Sequence, residues 1–270
     1  LPRRKSGSQR RDLDGMSKPA ALELFAPSGL PMVQQGDDLP AIIGDALSGY
    51  APRDGDVVVV AQKIVSKAEG RSVEVASVVP SDRARALAAE IGKDPRLVEI
   101  VLGESARVVR SRPNLLIVEH KLGFVMANAG VDQSNVAPQD GIARALLLPV
   151  DPDASAAALR AGLSARFGAK LAVIINDSFG RAWRRGTAGI AIGAAGLPSL
   201  VDLRGSPDLF GRTLEVSVIG FADEIAAAAS LLMGQADEAR PVVLVRGLTW
   251  TAPDAPAADL VRPPAEDLFR

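Results

Sequence analysis

The chain has 270 residues, is 47% hydrophobic, carries a formal net charge of -1, and contains one histidine and no cysteine. Near-neutral charge disfavours nucleic acid or an anionic membrane as partner, and no apolar run approaches the roughly 18 residues that span a bilayer. Disulfides, thiolate chemistry and multi-histidine metal sites are excluded, so acid–base work falls to Asp, Glu or Lys.

Residues 1–15, LPRRKSGSQRRDLDG, are basic and polar without an apolar segment. They read as a tag remnant or disordered tail rather than a secretory signal, and the expected compartment is the cytoplasm. One domain is expected over 16–250. Helical spacing covers 38–47. A β-branched run follows the Asp54-Gly55 turn at 56–62, and another strand is expected at 73–79. Residues 81–91 read as a helix, with Ser81 as N-cap and Gly92 past its end. Short strands are expected at 107–110, 115–119 and 124–127, then an Ala-rich helix at 154–167 closed by Gly168. Residues 171–176, 214–220 and 242–246 read as strands. The helix at 222–233 has Asp223 and Glu224 in its first turn and Gly234 as its stop. Asp151-Pro152-Asp153 is the best internal boundary, and 251–270, rich in Pro, Ala and acid, reads as a flexible tail. The order is mixed rather than a strict βαβα alternation. That predicts an α+β fold with mixed and antiparallel sheets and flanking helices.

Candidate chemistry gathers in polar clusters at the ends of apolar runs. In LAVIINDSFGRAWRR a buried strand delivers Asp177 to a sheet edge, and Arg181, Arg184 and Arg185 follow closely. A carboxylate can hold a divalent cation, and guanidinium forks suit phosphate or carboxylate. An acid capping a turn, with arginines on a solvated loop, accounts for the same residues. Lys63 and Lys67 read as a phosphate clamp or as an exposed helix face. Asn128-Ala129-Gly130 reads as a simple turn or as part of a site. Asp132 is a turn acid or a ligand, Gln235 a surface amide or a ligand, and His120 is structural. The glycine-rich run 186–196 lacks Walker spacing and G-x-x-x-x-G-K-[ST] is absent, which argues against a P-loop. Taken together, Asp132, Asp177, Ser178 and Gln235 offer oxygen ligands to magnesium or manganese, with lysines and arginines for a polyphosphate.

The segments GLPMVQQGDDL, DGDVVVVAQKIVSKAEGR, GFVMANAGVDQSN, INDSFGRAWRRGTAGIAIGAAG and MGQADEARPVVLVRG occur in this order. On them the chain resembles the coenzyme F420:L-glutamate ligase family, over residues 26–247. The resemblance covers either the free-standing form or the N-terminal ligase domain of an actinobacterial fusion with a nitroreductase-like domain. It implies an α+β fold, an intertwined homodimer, and GTP-dependent ligation of L-glutamate to the deazaflavin coenzyme F420 precursor through an acyl phosphate. Two divalent metals, Mg2+ or Mn2+, and K+ as an activator are implied with it. By the matching motifs Asp132 and Asp177 would hold the first metal, and Ser178 and Gln235 would help hold the second. Asn135 would contact the nucleotide. Leu30, Pro31, Met32, Val33, Gln62, Lys63 and Lys67 match nucleotide-binding segments, as do Met233, Gly234, Gln235, Ala236, Asp237, Glu238, Ala239 and Arg240. Lys67, Arg181 and Arg184 are the expected catalytic partners of the γ-phosphate or acyl phosphate, and Glu69 is a candidate general base. Met126 stands where many relatives carry Cys, so no thiol acts there. The glycine-rich run 186–196 would suit a strand or loop shared between subunits. Alternatives from other classes are a metal-dependent nucleotide phosphohydrolase and a non-catalytic nucleotide-binding module.

Overall fold

A computed structural model describes residues 21–134 and 141–267. Its centre is a five-stranded sheet in the order β1 (Glu23–Phe25), β12 (Val242–Arg246), β2 (Val57–Ala61), β8 (Ala172–Gly180), β9 (Thr187–Ala195). β2 and β8 run parallel, with Val57 opposite Ala172 and Ala61 opposite Asn176, while every other neighbouring pair in this sheet is antiparallel. The inner strands are continuous apolar runs because both their faces are covered. Val58, Val60, Val173 and Ile175 pack with α1 (Leu39–Leu47) and α5 (Pro152–Phe167). Val57, Val59, Ile174 and Val243 face the opposite way, onto Ile225, Ala226 and Ala229 of α6 (Phe221–Met233).

Helix ends follow the capping logic of the sequence. Asp38, Ser81 and Asp151 each accept a backbone N–H with their side chains, and Gly92 and Gly168 close α3 (Asp82–Ile91) and α5 in left-handed conformation. Asp151–Asp153, read from the sequence as a boundary, opens α5. The Asp153 carboxylate accepts from Ala194 N of β9 and Ala257 N, each at 2.8 Å. The C-terminal segment is thereby fastened to the sheet, with Ala257 fully buried.

A second layer packs α3 and α4 (Pro95–Gly103) on the antiparallel sheet β4 (Ser105–Arg112), β5 (Leu115–His120), β6 (Val125–Ala127). A two-stranded ladder joins β3 (Ser72–Glu74) to β7 (Arg144–Leu146). β10 (Val201–Asp202) and β11 (Val218–Ile219) form another. The expected α+β class with mixed and antiparallel sheets is therefore the observed one.

Several expected elements differ. The strand at 73–79 is three residues of β3 followed by a 3-10 turn, Val75–Ser77. The strand at 214–220 shrinks to β11. α4 escaped the periodicity reading although Asp94 and Pro95 mark its start; Asp94 caps it by accepting from Arg96 N at 2.8 Å. The glycine-rich run 186–196 contains a full strand, β9. Side chains at Gly189 and Gly193 would collide with Ala226 O and Ser230 Oγ of α6 and with Pro152 O of α5. Those glycines let two helices approach one strand closely, which hides the alternation a strand normally shows. The tail expected at 1–15 lies outside the described residues.

Candidate active site

β2 ends at Ala61, opposite Asn176, while the parallel β8 runs on to Gly180, and the carboxyl end of a parallel strand is where α/β sheets leave a crevice. A cleft of about 400 Å³ opens there. Its walls come from three sources. The 30–33 segment forms one wall, and the start of α2 (Gln62–Ala68), with Gln62, Lys63 and Lys67, forms a second. The turn after α6, residues 233–240, forms the third, and Asp177 and Ser178 of β8 line the floor. Leu30, Pro31, Met32, Val33, Met233, Gly234, Gln235, Ala236, Asp237, Glu238, Ala239 and Arg240 thus share one cavity despite their distance in sequence.

Asp177 lies within β8, opposite Ile190 of β9, not beyond the strand end as the apolar run suggested. The run ends at Asn176 because the side chains there begin to face the cleft, not because pairing stops. Just before it, Ile175 pairs with Gly193 and Asn176 with Ala191, so β9 carries an extra residue. Such bulges re-aim side chains beside sites. Burial pushes the Asp177 carboxyl up to about 6; Ser178 N–H, Lys63 and a Gln62 hydrogen bond oppose the rise, and Asp132 adds to it. Gln62 is buried, and its Oε1 accepts from Ser66 Oγ at 2.9 Å, which turns its amide N–H2 toward the carboxylate. Ser178 Oγ donates to Gln235 Oε1 at 2.8 Å, joining β8 to the turn after α6.

Asp132 arrives by a different route. Asn128, Ala129 and Gly130 are all left-handed, with φ of 51°, 54° and 67°. Lys93 Nζ donates to Asn128 Oδ1 at 2.9 Å and holds that turn. Asp132 then exchanges backbone hydrogen bonds with Leu146. Its carboxylate pairs with Lys63 Nζ at 2.7 Å and accepts from Ser134 N at 2.7 Å and Ser134 Oγ at 2.8 Å. Burial raises the Asp132 carboxyl, but Lys63 and Ser134 outweigh it and leave the group below its ordinary value. Lys63 thereby connects Asp132 to the cleft that Asp177 floors. Lys67, one turn along α2, is lowered by burial and then by Lys63.

Other expected residues lie elsewhere. Arg181 and Arg184 are exposed on the β8–β9 hairpin loop, beyond the cleft lining. Glu69 follows α2, and its Oε1 accepts from Ser155 Oγ of α5, so it too is off the lining. Met126 is a core residue. His120 is buried, and its Nδ1 accepts from Leu122 N at 2.9 Å. Asn135 is outside the described residues. Sequence reasoning gave no separate role to Asn176, which is buried against α6 with Nδ2 donating to Ser230 Oγ at 3.0 Å. Among the described residues its Oδ1 has no hydrogen-bond partner. It also overlooked Ser66 and Ser134, which orient Gln62 and Asp132; no spacing rule marks a lone serine for that work.

The cleft lining offers a hard cation the Asp177 carboxylate, the Ser178 hydroxyl and the Gln235 amide oxygen, while Asp132 lies outside the lining, on the far side of its ion pair with Lys63. Among the described residues no group of three or more His, Cys, Asp or Glu could form a cage by itself. Such a sparse set suits magnesium-type sites in which a substrate phosphate completes the shell.

Fold and cleft together define an α+β protein with an acid- and lysine-lined crevice at the carboxyl ends of its only parallel strand pair among the described residues. The family model described as F420-0:Gamma-glutamyl ligase matches residues 29–247, and the chain belongs to that family. It is 45% identical over 253 residues to coenzyme F420:L-glutamate ligase of Methanothermobacter thermautotrophicus, covering 92% of this chain and 99% of the relative. Against the protein of that name in Archaeoglobus fulgidus it is 44% identical over 249 residues, covering 92% and 96%. For that of Methanocaldococcus jannaschii the figures are 40% over 241 residues, 89% and 94%.

Proposed function

We propose that this chain is a GTP-dependent ligase. It joins a carboxylate of the coenzyme F420 precursor, a deazaflavin, to the amine of L-glutamate and releases GDP and phosphate. The observation that carries the reading is the meeting of Asp177, Lys63, Lys67, Ser178 and Gln235 in one cleft, in a chain whose relatives bear the name coenzyme F420:L-glutamate ligase.

A carboxylate reacts poorly with an amine because oxide is a poor leaving group. Transfer of the γ-phosphoryl group makes an acyl phosphate; attack by the glutamate nitrogen then forms the amide and expels phosphate, with one amine proton lost to solvent or a base. Asp177 and Asp132 would hold one Mg2+ or Mn2+, and Ser178 and Gln235 would help hold a second. Bound cations neutralise charge on the transferring group. Lys67 and Lys63 face the same phosphates, where fixed positive charge lowers the barrier most. Gln62, locked by Ser66, keeps Asp177 oriented. Arg181 and Arg184, on the loop just past β8, are assigned to the anionic acceptor or the acyl phosphate as it forms. K+ completes the proposed cofactor set, without an assigned residue.

Homodimerisation belongs to the same proposal. The arm between β10 and β11 carries Leu209 and Phe210 at 98% and 95% exposure, an apolar pair that a second copy of the chain could cover. No helix among the described residues is long and apolar enough to cross a membrane. A cytoplasmic location is proposed because GTP and free glutamate are held there.

The test is mass spectrometry of the deazaflavin after incubation with GTP, glutamate and Mg2+ or Mn2+. A gain of one or more glutamate residues is the expected result. Phosphate release from GTP without a mass gain would make the chain a nucleotide phosphohydrolase.

A further inference from the structure

The turn that closes the cleft after α6 is folded around one of its own side chains. Gly234 ends the helix at φ +73°, and a side chain there would run into the carboxyl group of Glu238. The Glu238 carboxylate therefore rests directly on the glycine. Ala236 N–H donates to Glu238 Oε2 at 2.8 Å. The N–H groups of Glu238 itself and of Gln235 also turn toward this carboxylate, and Arg240 adds positive charge. Ala239, left-handed at φ +53°, completes the turn. Consecutive backbone N–H groups pointing into one concavity are a general anion-binding device. The device occurs here in a cleft wall, and the anion it holds is exposed.

We propose that residues 234–238 form an oxyanion seat, and that the Glu238 carboxylate fills it until a phosphate of the nucleotide or a substrate carboxylate displaces it. The proposal rests on the reading of the cleft as a nucleotide-dependent ligase site. Three observations favour a displaceable occupant over a fixed brace. The carboxylate is solvent-exposed, so water replaces its backbone bonds at small cost. The groups it holds are backbone donors, which serve any oxyanion of similar size. Lys63, Lys67 and Arg240 line the same cleft, cations that an arriving oxyanion would meet. Ser178 and Gln235, whose side chains are hydrogen-bonded to each other, stand at the mouth of the same turn, so an incoming oxyanion would arrive beside the proposed cation ligands.

The experiment is calorimetric titration of the full chain and of Glu238→Ala and Glu238→Gln with GTP and Mg2+, with pyrophosphate and L-glutamate as separate arms. A self-occupied site binds more weakly by the fraction of time it is free, so a carboxylate seated nine-tenths of the time weakens binding about tenfold. Glu238→Ala should therefore tighten binding by about that factor, with Glu238→Gln in between. Tightening shared by GTP and pyrophosphate assigns the seat to phosphate; tightening confined to glutamate assigns it to carboxylate. If GTP binds the original chain but equally or less well to both folded variants, the seat is overturned and Glu238 braces the turn. If GTP binds none of them, the nucleotide reading fails, while tighter pyrophosphate or glutamate binding to Glu238→Ala would still uphold the seat. Should Glu238→Ala not fold, Glu238→Gln decides on the same criterion.

Discussion

Asp177 and Asp132 approach Lys63 from two kinds of backbone. Asp177 belongs to a long strand, one residue past its last pairing with β2 and still paired with Ile190 of β9, so its position is fixed by the main sheet. Asp132 comes two residues after three left-handed ones and is itself held by an isolated bridge to Leu146. Their electrostatics differ in the same sense. Asp132 already has its counter-charge at 2.7 Å and two Ser134 donors, and lies below its ordinary value. Asp177 is half-buried, poorly solvated and more weakly compensated, and rises to about 6. The rigid region thus carries the carboxylate still short of positive charge, and the irregular region carries the one already satisfied. A bound cation would gain most from Asp177, held by a wall that need not move to receive it.

The sharpest way to break this contrast is Asp177→Asn. The change keeps shape and removes the under-compensated charge. Under the proposed function it should lower turnover on the order of 100-fold or more, as loss of a metal-holding carboxylate does. The unfolding temperature should hold or rise, because a desolvated carboxylate opposes folding. Near-normal glutamate ligation by this variant would remove Asp177 from the reaction.

What the sequence revealed follows the same division. The inner strands, α5, α6 and the carboxylate after the apolar run were legible because burial on both faces, or on one helix stripe, imposes a pattern. Asp38, Ser81, Gly92 and Gly168 announced helix ends because unsatisfied backbone groups demand those residue types. The run that forms β9 was open between strand and loop because Gly189 and Gly193 serve backbone approach rather than side-chain burial. The cleft's membership was legible through motif resemblance alone. No periodicity brings Leu30, Lys63 and Glu238 together; that is the work of the β12–β2–β8 pairing. The roles of Ser66, Ser134 and Asn176 depend on distances, which a linear sequence does not contain.

A second prediction uses pH, in metal-free buffer with chelator. The folded state holds Asp177's proton more tightly than the unfolded chain does. Its contribution to stability is thus fully present below about 3.8, is lost as pH rises to about 6, and is flat beyond. The loss is on the order of 3 kcal/mol at most, at about 1.4 kcal/mol for each pH unit crossed, with solvent contact reducing it. Asp132 has the opposite sign: its contribution is present above its unfolded value and is lost as pH falls through the lowered folded one. Chemical denaturation at several pH values, comparing the original chain with Asp177→Asn, isolates the first effect. The difference between the two should grow between pH 3.8 and 6 and then level. A constant difference would mean that Asp177 is solvated as freely as an ordinary surface acid.

The smallest expected effect probes the satisfied side. In Lys63→Met the apolar stem remains and the ammonium is lost, so Asp132 retains only the Ser134 donors. The side chains of Lys63 and Asp132 are 29% and 35% exposed, so water screens the pair and the cost should be about 1 kcal/mol or less. For a chain of this size that is a fall of roughly 2–4 °C in unfolding temperature. The fall should shrink in high salt, because a partly exposed ion pair is already weakened there. Lys63 also lowers Asp177, so its removal should move the Asp177 transition to higher pH even though no atom of β8 has changed. A change confined to Asp132's acid limb, with the Asp177 transition unmoved, would show that Lys63 serves the turn alone and that the two carboxylates do not share a charge.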